Sequence, residues 1–295
     1  MAQLTLPNGI NIEYDTRGDA KNPTLIWIMG FTAQMTAWHE DFLNLFADAG
    51  FHVVRFDNRD CGLSHKHDGV MVDTGKVTME AMMGDTITVE VPYTLHDMAN
   101  DAIGVLDHLG IEKAHVIGAS MGGMIAQTVA IDHPHRVQSL TSIMSVPGDL
   151  AYGSPTEEAM AALLAEPSAD RAEYIESAST WAVWCSKKHF DLQEAKERAA
   201  REYDRSFYPE GAHRQLAAIY ASGDRSDALR QLNVPTLVIH GRDDTLLTPS
   251  GGERTAELVP GSTFMFVADM GHDVPKPLWP LFVDSITSHA RRAQK

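Results

Sequence analysis

Residues 114–131 narrow the choice of fold more than any other part of the chain. Ala114 to Ile117 is a short apolar run that reads as a buried strand, and Met121 to Ile131 reads as a helix. Between them stands Gly118-Ala119-Ser120-Met121-Gly122. A strand that becomes a helix over so few residues strains the backbone at its centre, and glycines two residues either side of the serine leave room for the turn. The serine hydroxyl is then exposed at the carboxyl end of a sheet, beside a helix N-terminus that favours negative charge. By composition, a Gly-x-Ser-x-Gly match is expected roughly 0.1 times in a chain this long. The flanking strand and helix therefore carry as much of the argument as the motif. The competing reading is a glycine-rich connection with a bystander serine.

The rest of the chain supplies a frame for such a turn. The turn Pro7-Asn8-Gly9 leads into an alternating strand, Ile10 to Tyr14. Thr24 to Met29 and His52 to Phe56 are apolar runs of buried-strand type. Helical spacing over Ala37 to Ala49 and Leu95 to Leu109 stops at Gly50 and Gly110. Val137 to Met144 is a further strand. Alternation then ceases between Pro147 and Arg230, where only helical patterns occur. Ser154-Pro155-Thr156-Glu157 marks a helix start, with a capping box and proline at the first helical position. Helices are expected over 169–185, 191–203 and 212–220. Strands at Thr236 to His240 and Thr263 to Val267 and helices at Gly252 to Leu258 and Leu278 to Ala290 resume the alternation. The expected fold is α/β, with a mostly parallel central sheet and helices on both faces. Residues 1–146 and 231–295 form the core, and residues 147–230 are an inserted helical lid. Ser64 to Pro92 reads as a long loop or flap.

Composition narrows the partners. With 295 residues, of which 44% are hydrophobic, the chain can bury a sizeable core. A net charge of −16 opposes association with nucleic acid or anionic lipid, and no apolar run reaches bilayer length. The N-terminal stretch has no basic n-region followed by an apolar one, so a cytoplasmic protein is expected. Two free thiols are the simple reading of Cys61 and Cys185, with a single disulfide as the other pairing the sequence permits. The composition sets no oligomeric state.

A serine hydroxyl needs an adjacent base to become a nucleophile. On a turn of this kind the partners follow in chain order, acid then histidine. Of the 14 histidines, His272 fits best, because Gly271-His272-Asp273-Val274-Pro275 lies between the last strand and the last helix. The acid that orients the imidazole is Asp243 or Asp244, directly after the strand ending at His240, with Asp149 a weaker candidate. Asp273 adjoins the base but should point away from it. The oxyanion donors expected are the backbone N–H groups of Met121 and of Phe31, in the loop after Met29. An ordinary strand-end glycine is a fair competing reading of Gly30. Trp181 and Trp184, three apart on a lid helix, either line an acyl pocket or pack the lid. Asp57-Asn58-Arg59-Asp60 reads as a structural turn near the site. The close pairs His65/His67 and His133/His135 lack an accompanying acid or thiolate cluster, so no metal is expected. The dinucleotide glycine spacing is absent.

These segments together (IMGFTAQMTAW, VVRFDNRDCGLS, HVIGASMGGMIAQ, PTLVIHGRDDTLLTP and MGHDVP) resemble the α/β-hydrolase superfamily over nearly the whole chain. Within it, the chain looks most like the branch containing the aclacinomycin methylesterase and related bacterial carboxylesterases. The resemblance implies a Ser120–Asp244–His272 triad and no cofactor, with Asp244 preferred because family acids sit three residues after the glycine of the His-Gly turn. Phe31 departs from the glycine common in that branch, which implies a narrower pocket with backbone donation intact.

The expected function is hydrolysis of small or medium carboxylic esters through an acyl-enzyme, by a small-molecule serine esterase. Carbon–carbon bond hydrolysis, perhydrolysis and amide cleavage use the same triad and form the alternative. A non-catalytic ligand-binding protein on this fold is a third reading. Serine at the elbow disfavours haloalkane dehalogenase or epoxide hydrolase chemistry, which places aspartate there.

Overall fold

In the computed structural model, which describes residues 1–294, the alternating segments assemble into one eight-stranded sheet. Its strands are β1 (Ala2–Thr5), β2 (Asn11–Arg17), β3 (Thr24–Ile28), β4 (His52–Phe56), β5 (Ala114–Ala119), β6 (Val137–Ile143), β7 (Thr236–Gly241) and β8 (Thr263–Val267). The spatial order is β1-β2-β4-β3-β5-β6-β7-β8. β1, β2 and β4 pair antiparallel, and every pair from β4 to β8 is parallel. The Pro7–Gly9 turn makes the β1–β2 hairpin, with Gly9 at φ 85.

The parallel strands are buried on both faces, which is why they read as near-continuous apolar runs. Ile26, Ile28 and Val116 face α3 (Leu95–His108) and α4 (Met121–Asp132). Leu25, Trp27 and Ile117 face α1 (Glu40–Asp48) and α11 (Trp279–Ala293). Trp27 is fully buried, with ring contacts at 4.8 Å to Trp38 and 4.9 Å to Phe46. Burying a large apolar side chain this way is worth about 1.5–3 kcal/mol.

The segment 64–92 is more ordered than its sequence pattern indicates. It contains α2 (Thr74–Met83), whose first turn is capped by Asp73 accepting from Lys76 N–H and whose end is set by Gly84 at φ 73. Asp73 and Gly84 were the readable signals; the exposed methionines Met79, Met82 and Met83 blurred the apolar stripe.

Between β6 and β7 lie α5 (Glu157–Leu163), α6 (Arg171–Ser177), α7 (Leu192–Ser206), α8 (Gly211–Ala221) and α9 (Ser226–Leu229). Part of this insertion has its own small core of Ala178, Ala195 and Ala199, packed by Tyr174, Trp181 and Phe190. Two boundaries differ from expectation. α5 begins two residues later than the Ser154-Pro155 signal, because the Thr156 side chain caps it by accepting from Ala159 N–H. The helix expected over 169–185 is broken into α6 and a 3₁₀ turn, Ala178–Val183. There Ser177, Ser179 and Thr180 each donate a side-chain bond to the carbonyl three residues back, competing with the α-helical ladder. α10 (Ser250–Leu258) completes the set, packed on β7 and β8. Both cysteines are free and buried.

His115 on β5 is 1% exposed; its Nδ1 lies 2.8 Å from Ser139 Oγ on β6. Burial, reinforced by nearby His289, lowers its pKa from 6.5 to about 4. The unfolded chain therefore takes up this proton first as pH falls, and stability is lost between those two values. From about pH 7.5 to 4.5 this histidine should account for a loss of roughly 2–3 kcal/mol. Urea unfolding of the native chain and of His115→Asn at both pH values checks this; the variant should lose less stability on acidification by that amount.

Candidate active site

Ser120 sits between β5 and α4 at φ 56, ψ −126, in the positive-φ region that side-chain-bearing residues avoid. Such a conformation costs on the order of 1–3 kcal/mol and persists only where packing enforces it. Here the enforcing contacts are the glycines of the motif. A Cβ at Gly118 would collide with the Gly122 carbonyl, and one at Gly122 with the Ile28 carbonyl of β3. Ser120 N–H bonds Ile143 O at the end of β6 (3.0 Å), and Ser145 Oγ donates to Ser120 O (2.8 Å).

The loop after β3 closes on the serine. A Cβ at Gly30 would lie 2.9 Å from Ser120 Cβ, so glycine is needed for this approach, beyond an ordinary strand end. The next residue, Phe31, is half-buried against the core. Among the described residues, the N–H groups of Phe31 and Met121 donate to no protein acceptor. Met121 is the serine's neighbour in sequence, and Phe31 follows the glycine that packs against it.

Asp244 follows the end of β7 and is 2% exposed. Its Oδ2 lies 2.7 Å from His272 Nδ1, and its Oδ1 accepts from Leu246 and Leu247 N–H, both at 2.9 Å. Burial alone would favour the neutral acid, but the His272 and His240 rings outweigh it and the pKa falls to about 2. The carboxylate is therefore ionised at neutral pH and can only accept. His272 Nδ1 must then carry the proton, which leaves Nε2 as the acceptor. Among the described residues the Ser120 hydroxyl makes no hydrogen bond, so the serine–imidazole contact is not formed in this structure. Catalytic hydrogen bonds commonly tighten only around substrate.

The other acids go elsewhere. Asp243 lies 3.3 Å from Arg242, and Asp149 pairs with Arg254. Asp273 turns away from the imidazole next to it. Its Oδ1 accepts from Ser186 and Gly271 N–H, and burial raises its pKa. Asp57 takes Met35 N–H and Arg205; Asp60 is held by Arg214 and Tyr93 OH. This turn is structural and fastens α7 and α8 to the core. His67 faces Asp60 and His133 faces Asn100. Among the described residues, no three His, Cys, Asp or Glu side chains gather as a metal-binding group.

The two tryptophans separate. Trp181 packs in the small core of the insertion, under the Arg198 guanidinium at 5.0 Å. Trp184 touches the base loop through its backbone, accepting from His272 N–H at 2.6 Å. An open apolar groove of about 490 Å³ between α2 and α8 is lined by none of the candidate residues. Two further residues join the loops to the insertion: Thr245, whose hydroxyl donates to Val183 O, and Gln215, whose amide accepts from Thr32 N–H. Neither carries a local signal, since each matters only through a residue distant in sequence.

Compared with known proteins, residues 23–275 match the α/β-hydrolase fold family. The chain is 25% identical over 299 residues to rhodomycin D methylesterase DauP of Streptomyces sp. (strain C5), covering 94% of this chain and 93% of that one. It is also 25% identical over 280 residues to a 2-hydroxy-6-oxononadienedioate/2-hydroxy-6-oxononatrienedioate hydrolase of Paraburkholderia phymatum, covering 89% and 85%. Among solved structures, the esterase RhEst1 from Rhodococcus sp. ECU1013 matches with a TM-score of 0.73 at 19% identity over 98% of both chains, a likeness of fold. The extent of the family match, together with the strand order and the elbow at Ser120, makes this chain a member of the α/β-hydrolase fold family.

Proposed function

We propose that this chain is a serine carboxylesterase that hydrolyses small or medium carboxylic esters through an acyl-enzyme. The observation that carries the reading is the buried Asp244–His272 bond at 2.7 Å, on the same sheet edge as a serine held in a strained, glycine-flanked turn. In this mechanism Ser120 Oγ attacks the ester carbonyl while His272 Nε2 takes its proton. Asp244 stays ionised and stabilises the imidazolium. The N–H groups of Phe31 and Met121 receive the carbonyl oxygen as it becomes an oxyanion. The C–O bond breaks, His272 protonates the departing alcohol, and water then deacylates Ser120 with the same histidine as base. No step requires a cofactor.

The helical segment 147–230 acts as a lid in this reading. Its Val183, Trp184 and Ser186 backbone groups hold the acid and base loops, and an apolar acyl or alcohol group of the substrate would lie beneath it. A small-molecule ester is the proposed partner. Similarity to the oxo-dienedioate hydrolase supports a second reading, in which the same triad cleaves a carbon–carbon bond of a diketone-like substrate. A panel of esters, amides and ring-cleavage diketones separates the two by relative kcat/KM.

Ser120→Ala should lower hydrolysis of short p-nitrophenyl esters by about 10³–10⁶-fold without loss of fold. Undiminished activity in that variant, once contamination is excluded, refutes the assignment. Asp244→Asn keeps the shape but removes the charge that sets the imidazole tautomer, and should lower kcat by about 10³–10⁴-fold. Asp243→Asn should stay within about twofold of the native chain. Steady-state kinetics of the pair decides between the adjacent acids.

A further inference from the structure

Thr32 lies one residue beyond Phe31 and holds φ 56, an unfavourable conformation for a β-branched residue. Its N–H donates at 2.8 Å to Gln215 Oε1 on α8. The same amide donates through Nε2 to Arg59 O, also at 2.8 Å. Gln215 is completely buried. Its orientation is not ambiguous, because a backbone N–H can only donate and a carbonyl can only accept, so oxygen must face Thr32 and nitrogen Arg59.

The helix carrying this amide is itself anchored. Arg214, the preceding residue, holds Asp60 through Nε at 2.8 Å and Nη2 at 3.0 Å. The turn at Asp60 therefore supports α8, and α8 supports the strained residue beside Phe31. A second link runs in parallel. Gln34 Nε2 donates to Glu202 O and Ser206 O on α7, and Arg205 donates to Gln34 Oε1.

We propose that Gln215 is a positioning residue that fixes the oxyanion loop, holding Phe31 N–H in the direction the developing negative charge requires. This rests on the esterase reading above. Without the amide, the Thr32 N–H loses its protein acceptor, and the strained φ keeps only the Cys61 Sγ bond to the Thr32 carbonyl. The loop relaxes and the Phe31 donor turns away. Loss of one oxyanion donor typically costs about 10²–10³ in kcat; misalignment should cost somewhat less. The hydrogen bond to the oxyanion forms only as charge develops, so the loss falls on kcat and leaves KM little changed.

The test compares Gln215→Met with Ser222→Ala. Ser222 caps the far end of α8, and its hydroxyl accepts from Leu95 N–H, so its removal loosens the helix away from the loop. With a short p-nitrophenyl ester, Gln215→Met should lower kcat about 10–100-fold with KM within about twofold. Affinity for a boronic acid that mimics the tetrahedral adduct should fall by the same factor as kcat, while affinity for the carboxylic acid product stays unchanged. Ser222→Ala should lower the melting temperature and leave kcat unaltered. Should Gln215→Met not fold, Gln215→Asn, one methylene short of its partners, takes its place with the same readouts. Unchanged kcat in the Gln215 variant overturns the proposal, as does a kcat loss that follows melting temperature equally in both variants. Fluorophosphonate labelling of the native chain separates the two levels. No labelling overturns the esterase reading and this inference together; normal labelling with an indifferent Gln215 overturns this inference alone.

Discussion

The site depends on the contact between the backbone of Gly30 and the side chain of Ser120. β3 and β5 are neighbours in the sheet, and the chain leaving β3 passes so close to the serine that only glycine fits there. The same packing leaves Gly118 and Gly122 no room for a side chain, and it holds Ser120 at a φ that an isolated chain would not keep. The strain is sustained by a sheet buried on both faces. The hydroxyl is consequently displayed at the sheet's edge instead of being packed into it.

The helical insertion is fastened to the loops that carry Phe31, Asp244 and His272. Thr245 Oγ1, next to Asp244, donates to Val183 O, and His272 N–H donates to Trp184 O. Ser186 N–H is accepted by Asp273, and Gln215 holds Thr32 beside Phe31. Each is an ordinary hydrogen bond of modest net worth, about 1 kcal/mol. Their joint effect is geometric, because they tie loops from the ends of β3, β7 and β8 to one body.

Charge determines how that body sits on the core. Asp57, Arg59, Asp60, Asp101 and Arg214 are all buried; Arg59 pairs with Asp101, Arg214 with Asp60 and the half-buried Arg205 with Asp57, at 2.7–3.0 Å. Burial would push the Asp60 carboxyl up, yet His67, Arg214 and Tyr93 hold it below the usual carboxylate range. Buried ion pairs add little net stability, since desolvation offsets attraction, but breaking one leaves an unpaired charge. Such pairs specify one arrangement of α7 and α8 over the sheet. That specification reaches the loop after β3 through residues 34 and 215.

How much of this was legible in the sequence follows from the range of the forces involved. Apolar periodicity and turn chemistry are local, so the strands and most helices could be read directly from the residues. The Gly-x-Ser-x-Gly elbow was legible for the same reason, as was a histidine loop after the last strand. The choice among Asp149, Asp243 and Asp244 was not, because adjacent residues on a turn differ only in which way the chain folds them; the tertiary structure brings Asp244 to the imidazole and sends Asp243 toward Arg242. It also turns Asp273 away, breaks the 169–185 helix and orders residues 74–83. Gln215 gave no signal at all, since an amide in a helix acquires meaning only when a backbone N–H from residue 32 and a carbonyl from residue 59 arrive on its two sides. Short-range pattern along the chain specified the layers and the glycine-flanked serine turn, whereas which distant polar groups meet was settled on folding, because hydrogen bonds act over ångströms in space and are blind to separation along the chain.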